Sequence, residues 1–113
     1  MDTEDRPLVW LEDRVQTPPF SVTARIEAGK LLRLLQRGER LGMPHCRPMP
    51  SIGPHVHELR IQDEGRFWRI VLRIDPDAVI VAAVFAKKTT RTPRSLTERC
   101  RRRFRAYDRA MED

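Results

Sequence analysis

The chain has 113 residues and a net charge of +6, a length that suits one domain over residues 1–113 and excludes two separate cores. Its apolar content of 40% excludes a disordered chain, and its positive charge favours a polyanionic partner such as a nucleic acid. The two cysteines are too few for a disulfide scaffold, and no apolar run is long enough to span a bilayer. The charged N-terminal residues argue against a secretory signal. We therefore expect a cytoplasmic protein with no membrane partner.

The N-terminal part predicts a strand followed by a helix. Residues 8–11 are a short apolar run that predicts the strand. Apolar residues then recur with the helical period, after a cap at Ser21 or Thr23 and before a stop at Gly38 or Gly42. The predicted buried stripe of this helix is Ala24, Ala28, Leu31, Leu32 and Leu35.

Four prolines mark the next segment, residues 43–54: Pro44, Pro48, Pro50 and Pro54. This density excludes a regular helix or a central strand. We expect an extended connector on the surface.

A pattern of period two follows and predicts an antiparallel meander of three strands. The apolar runs are 56–61, 67–74 and 78–85, with turn residues at 63–65 and 75–77 between them. Matching apolar residues across the strands predicts the register. The predicted pairs are Leu59 with Ile70 and Ile61 with Trp68 in the first hairpin, and Leu72 with Val81, Ile70 with Ala83 and Trp68 with Phe85 in the second.

A basic cluster follows from this register. Arg60 is placed opposite Arg69, and alternation directs Lys88 toward the same face. Like charges directly opposite one another are destabilising, so the cluster indicates a bound anion, with phosphate as the first candidate. Two alternatives stay open: a three-residue turn with Gly65 in a bulge would separate the two arginines, and the cations could be ordinary solvated charges.

A second helix closes the chain. Thr92 and Pro93 fit an N-cap followed by proline at the first helical position, while the segment from Ser95 to Glu98 has the form of a capping box. The predicted apolar stripe of this helix is Leu96, Cys100, Phe104, Tyr107 and Met111.

Three segments resemble motifs of the phage-derived branch of the RelE/HigB toxin family, and the resemblance extends from about Leu8 to Tyr107. They are His57-Glu58-Leu59-Arg60, then Trp68-Arg69-Ile70-Val71, then Phe85-Ala86-Lys87-Lys88-Thr89-Thr90-Arg91-Thr92-Pro93. The resemblance implies a compact α+β fold, with an N-terminal strand and helix (or helical hairpin), an antiparallel three-stranded meander and a C-terminal helix.

The resemblance also implies a function: the toxin of a type II toxin–antitoxin system that cleaves messenger RNA on the ribosome and is neutralised by a helix-turn-helix antitoxin of the HigA kind. Such an endoribonuclease needs no metal and no cofactor. Arg69, Arg60 and Lys88 are the expected catalytic residues, with Arg69 stabilising the phosphate first. Lys87, Arg91, Arg94 and His57 are expected to contact RNA.

Other assignments remain open at this point. His55 and His57 are candidates for the general base, because both directly precede the strand that carries Arg60. Relatives often use a C-terminal tyrosine or histidine, but the position of Tyr107 on the apolar stripe indicates a core residue. His45 and Cys46 together with His55 and His57 lack zinc-finger spacing. The alternative functions are a non-catalytic nucleic-acid-binding or regulatory phage protein and an inactive toxin relative.

Overall fold

The computed structural model describes residues 5–87 and 92–112, which form a mixed sheet and two helices. The elements in chain order are β1 (Leu8–Trp10), α1 (Val22–Gln36), β2 (Cys46–Pro48), β3 (Val56–Asp63), β4 (Arg66–Ile74), β5 (Val79–Lys87) and α2 (Arg94–Ala110). The strand order is β1-β5-β4-β3-β2, with β1 parallel to β5 and the other pairs antiparallel. The predicted α+β fold is confirmed, with β2 as an additional strand.

Helix α1 forms as its sequence predicts. The Ser21 hydroxyl accepts a hydrogen bond from the Ala24 amide at 3.0 Å, which caps the first turn. The helix ends at Gln36, and Gly38 follows in the left-handed region with φ of 90°. The buried residues of α1 are the five predicted ones, Ala24, Ala28, Leu31, Leu32 and Leu35. In the described ranges α1 is a single helix and not a helical hairpin.

The sheet separates two apolar clusters. On one face, α1 packs with the stacked pair Phe20 and Trp68 against the β3–β5 side chains that alternate toward it. On the other face, α2 packs through Leu96, Cys100 and Phe104. We refer to these as the α1 face and the α2 face of the sheet. No helix in the described ranges is long and apolar enough to cross a membrane.

The first hairpin has the predicted register. Leu59 pairs with Ile70, Ile61 with Trp68 and Arg60 with Arg69. The turn consists of two residues, Glu64 and Gly65, with φ of 45° and 85°, and this short turn keeps the strands in direct register. The alternative with a three-residue turn is therefore excluded.

The second hairpin departs from the predicted register. Leu72 pairs with Val81 as expected, but the preceding residue of β4, Val71, pairs with Ala83. Ala82 is therefore an extra residue on β5 and forms a β-bulge, which we call the β5 bulge. The predictions of Ile70 with Ala83 and Trp68 with Phe85 are wrong; the partners are Val84 and Ala86.

Side chains from distant parts of the chain bond the backbone at this bulge. The Val84 amide donates to the Asp13 carboxylate at 3.1 Å, and the Arg103 guanidinium donates to the Ala82 carbonyl at 2.6 Å. These bonds satisfy backbone groups around the extra residue.

Two local predictions also need correction. The proline-rich segment contains edge strand β2, an edge being the place where a sheet tolerates proline, and it buries Met49 and Ile52. Helix α2 begins at Arg94 with Pro93 as its N-cap, one residue later than predicted and without a side-chain cap. The Pro93 carbonyl accepts from the Leu96 and Thr97 amides, so Ser95 already lies inside the helix and no capping box forms.

Candidate functional site

The predicted arginine pair lies on the α2 face of the sheet. Arg60 and Arg69 are directly opposite one another in the β3–β4 ladder. Their strand neighbours Leu59, Ile61 and Ile70 belong to the cluster on the α1 face, so alternation directs both arginines to the other side. The basic pair inferred from the sequence is therefore present.

A buried carboxylate accompanies this pair. Glu58 has no exposed side-chain surface, and its Oε1 atom accepts from the Arg69 Nη1 at 2.9 Å and from the Arg47 Nε at 3.1 Å. Arg69 is 2% exposed and Arg47, on the edge strand β2, is 33% exposed. Three adjacent strands therefore each contribute a charged side chain to one ion-pair network.

The positive charges outnumber the negative one in this cluster. The guanidinium of Arg60 lies 4.8 Å above the Phe67 ring, and Arg60 forms no ion pair with any carboxylate in the described ranges. Glu58 is thus the one carboxylate that these contacts set against three arginines. Arginines held in a partly buried place can bind an oxyanion through charge-assisted hydrogen bonds. We call Arg47, Glu58, Arg60 and Arg69 the arginine cluster.

Sequence reasoning missed two members of the arginine cluster. Glu58 could have been found, because it lies two residues before Arg60 on the same strand and therefore shares its face. Arg47 could not, because it lies in the proline-rich segment, whose composition predicts a connector and not a strand.

The other predicted site residues have different positions. Lys87 is the last residue of β5, opposite Phe67 in the register. Lys88 and Arg91 lie outside the described residues. Arg94 is exposed at the first position of α2. The bulge changes the alternation that places Lys88 on the face of Arg69: the predicted register sets Val84 opposite Arg69, but the residue there is Phe85.

His57 does not lie beside the arginine cluster. It is adjacent to Glu58 on β3 and therefore points to the opposite face, where it lines a cavity of about 470 Å³ together with His55, Leu35 and Cys46. Burial raises the pKa of the Cys46 thiol. Among the described residues, no group of three or more His, Cys, Asp or Glu side chains is arranged to hold a metal ion.

Tyr107 also lies away from the arginine cluster. It is half-buried on α2 and packs against the apolar cluster there, with the Arg73 guanidinium 5.9 Å from its ring. Burial raises the pKa of its phenol. Arg73 is four residues from Arg69 along β4, about 13 Å in an extended strand. The prediction that Tyr107 is a core residue agrees with this packing.

Comparison with known proteins gives one family. The model of the family described as phage derived protein Gp49-like (DUF891) matches residues 19–105, well over half of the chain. This range runs from Pro19, just before α1, to Arg105 in α2 and includes the whole arginine cluster. Searches of the curated proteins and of the solved structures found no match.

Proposed function

The chain belongs to the phage-derived Gp49-like family, a type II toxin family of the RelE/HigB-like superfamily, and from this premise we propose that it is a ribosome-dependent endoribonuclease that cleaves messenger RNA in the cytoplasm. A toxin family implies an antitoxin as partner. In this proposal the antitoxin is a helix-turn-helix protein of the HigA kind, which holds the activity in check.

One observation carries the proposal of cleavage: the arginine cluster sets three guanidinium groups against one carboxylate on a single face of the sheet. Cations directly opposite each other cost free energy in a sheet, on the order of several tenths of a kcal/mol. A dianionic phosphorane would offset that cost, because guanidinium groups donate paired hydrogen bonds to phosphoryl oxygens.

The reaction proposed is transesterification within the RNA strand. The 2′-hydroxyl oxygen forms a bond to the adjacent phosphorus, and the bond from phosphorus to the 5′ oxygen breaks. The 2′-hydroxyl proton passes to a base, and the 5′ oxygen receives a proton as it leaves. The products are a 2′,3′-cyclic phosphate and a 5′-hydroxyl, with no metal and no cofactor required.

The proposed role of each arginine follows from how deeply it is buried. Arg60 is partly exposed and lacks a carboxylate partner among the described residues, so it would contact the phosphate directly. Arg69 is buried against Glu58 and would add charge from beneath, where the lower dielectric strengthens its effect. Lys88 would complete the catalytic set as a phosphate ligand or proton donor. Lys87 and Arg91 would contact the backbone of the cleaved strand and contribute affinity. His57 would not join them, because it points to the opposite face of the sheet.

The test compares tightly controlled induction of the wild type, Arg60→Gln and Arg25→Gln in a bacterial host, with mapping of RNA 5′ ends. Arg25 is an exposed arginine of α1, so its substitution removes one charge without touching the cluster. We expect growth arrest and new 5′ ends inside translated messages with the wild type and Arg25→Gln. Arg60→Gln should lower the cleavage rate on programmed ribosomes by about 100-fold or more.

Three results would contradict the proposal or a part of it. Unchanged growth and unchanged transcripts from folded wild-type protein would leave a non-catalytic nucleic-acid-binding protein or an inactive relative. Full cleavage by folded Arg60→Gln would show that the arginine cluster is not the active site. Cleavage of naked RNA at the same rate as ribosome-bound message would remove the ribosome from the proposal.

A further inference from the structure

The outward face of α2 is a second basic surface, distinct from the arginine cluster. Leu96, Cys100 and Phe104 direct one side of the helix to the sheet. The opposite half of the helix carries six exposed arginines and one acidic residue, Glu98. The six are Arg94, Arg99, Arg101, Arg102, Arg105 and Arg109. We call them the α2 arginine face.

These arginines repel one another and have little compensation within the fold. None of them forms an ion pair with a carboxylate in residues 5–87 or 92–112, although the Arg101 guanidinium donates to the Ser51 carbonyl. Arg101, Arg105 and Arg109 follow each other at intervals of four residues, a spacing at which like charges destabilise a helix. The first turn holds no acidic residue to complement the helix dipole. A polyanionic partner would reverse all three effects.

Part of this surface borders a shallow groove. A groove of about 550 Å³ lies between α2 and Glu12, which follows β1. Its other charged lining residues are Arg99, Arg102, Arg103, Arg105 and Arg109. Arg103 is held by the Asp13 carboxylate at 3.3 Å, whereas the other four arginines of the groove form no ion pair with a carboxylate among the described residues.

The chemistry of this surface distinguishes among polyanions. The aromatic residues of α2, Phe104 and Tyr107, pack toward the sheet, so the outward half offers no ring on which an unpaired base could stack. It also lacks the apolar anchors that carry protein–protein interfaces, since Ala106 is the one apolar residue lining the groove. What it offers is a row of guanidinium donors about 22 Å long, from Arg94 to Arg109. This suits the phosphate backbone of a double helix.

We propose that the α2 arginine face binds the phosphate backbone of double-helical RNA, separately from the strand that the arginine cluster would cleave. The choice of RNA over DNA rests on the proposed function. The binding itself depends only on α2 and its groove.

The test measures the binding of a 20-base-pair RNA duplex by fluorescence anisotropy at several salt concentrations. The variant replaces Arg102, Arg105 and Arg109 with glutamine, and the control replaces Arg25, Lys30 and Arg33 on α1, so both lose three positive charges from exposed helix positions. We expect the α2 variant to bind at least tenfold more weakly and the slope of log K against log salt to become shallower by about 2 to 3. The control should stay within about one unit of the wild-type slope.

Arg60→Gln separates this inference from the proposed function. It should keep the duplex affinity of the wild type while losing cleavage, and duplex binding should persist even if the wild type never cleaves RNA. Circular dichroism shows whether each variant is folded, and the single substitutions Arg102→Gln and Arg109→Gln should each lower the slope by about one.

Three outcomes would overturn the inference. An equal loss in the α1 control would show that net charge alone binds the duplex. A DNA duplex bound more tightly than RNA, and lost in the α2 variant, would replace RNA with DNA. Polyglutamate serves as a probe for an acidic protein. If the α2 variant lost its binding to polyglutamate while its RNA binding stayed unchanged, the surface would be assigned to an acidic protein partner.

Discussion

At the scale of single residues, Glu58 is the most constrained side chain of the candidate site. It is fully buried and accepts from two arginines through the same oxygen, while its Oε2 has no hydrogen-bond partner among the described residues. A buried carboxylate is tolerated only while its cations stay in place. The arginines of the cluster therefore depend on Glu58 for their positions, and it depends on them.

Arg69→Ala is predicted to destabilise the fold by about 3 kcal/mol, because it leaves the Glu58 carboxylate buried with only the partly exposed Arg47. The double variant Glu58→Gln with Arg69→Gln should recover much of that loss. Arg60→Gln, at a partly exposed position, should change the free energy of unfolding by less than about 1 kcal/mol. Urea denaturation at pH 7 measures all three, and equal stability of Arg69→Ala and wild type would contradict the buried ion pair.

Asp63 gives a prediction about pH. Its Oδ2 accepts from the Ser21 amide at 3.0 Å and from the Trp68 indole nitrogen at 2.8 Å. The bond from the Ser21 amide, followed by that from Trp68, lowers the pKa of Asp63 below its ordinary value of 3.8. A carboxyl with a lowered folded-state pKa stabilises the fold above the unfolded-state pKa, and the stabilisation is lost as the pH falls through the folded-state value.

Asp63→Asn should therefore be less stable than the wild type at pH 7 and at pH 5, with the difference shrinking below about pH 4. Urea midpoints at pH 7, 5 and 3 measure this. A difference between the two proteins that is the same at pH 3 as at pH 7 would show that the ionised form of Asp63 has no special role.

At the scale of elements, the β5 bulge determines which residues face the candidate site. With the extra residue, Phe85 lies opposite Arg69. The bulge is fixed by Asp13, which accepts from the Val84 amide and also contacts the Arg103 guanidinium at 3.3 Å. One carboxylate thus joins the segment after β1, strand β5 and helix α2.

Asp13→Ala is expected to cost about 1 to 2 kcal/mol of stability, because it removes the acceptor of the Val84 amide and the ion pair with Arg103. Asp13→Asn keeps an acceptor oxygen and should cost about half as much. Hydrogen exchange at the Val84 amide tests the local effect: we expect faster exchange in Asp13→Ala than in Asp13→Asn. Identical exchange in both variants would mean that another group fixes the bulge.

The sequence predicts an element well when the interactions that fix it join residues close together along the chain, and poorly when they join distant residues. The helix α1 and the first hairpin depend on local signals, namely the 3.6-residue period, the Ser21 cap and the Glu64–Gly65 turn, and these were predicted correctly. The bulge depends on an acceptor 71 residues away from Val84, and no local pattern signals it.

The same reason divides the candidate site. The opposition of Arg60 and Arg69 follows from the register of a local hairpin. Arg47 joins Glu58 only because a proline-rich segment pairs as an edge strand, which its composition disfavours.

At the scale of the whole molecule, the two apolar clusters share one sheet. Leu72 and its neighbour Val71 lie on adjacent positions of β4, yet one packs in the cluster of α1 and the other in that of α2. Neither helix can keep its packing surface if the sheet between them separates. The molecule should therefore unfold in a single cooperative step.

Leu96→Ala tests this coupling, because Leu96 is buried on α2. The chain's two tryptophans, Trp10 and Trp68, both belong to the packing on the α1 face, so their fluorescence reports on that face. The substitution should lower the free energy of unfolding by about 2 to 3 kcal/mol. In a cooperative fold, tryptophan fluorescence and far-ultraviolet circular dichroism should report the same lowered urea midpoint. Met111→Ala, at a position 65% exposed just after the same helix, should leave both midpoints unchanged. A lowered midpoint in circular dichroism with an unchanged one in fluorescence would mean that α2 detaches while the α1 face stays folded.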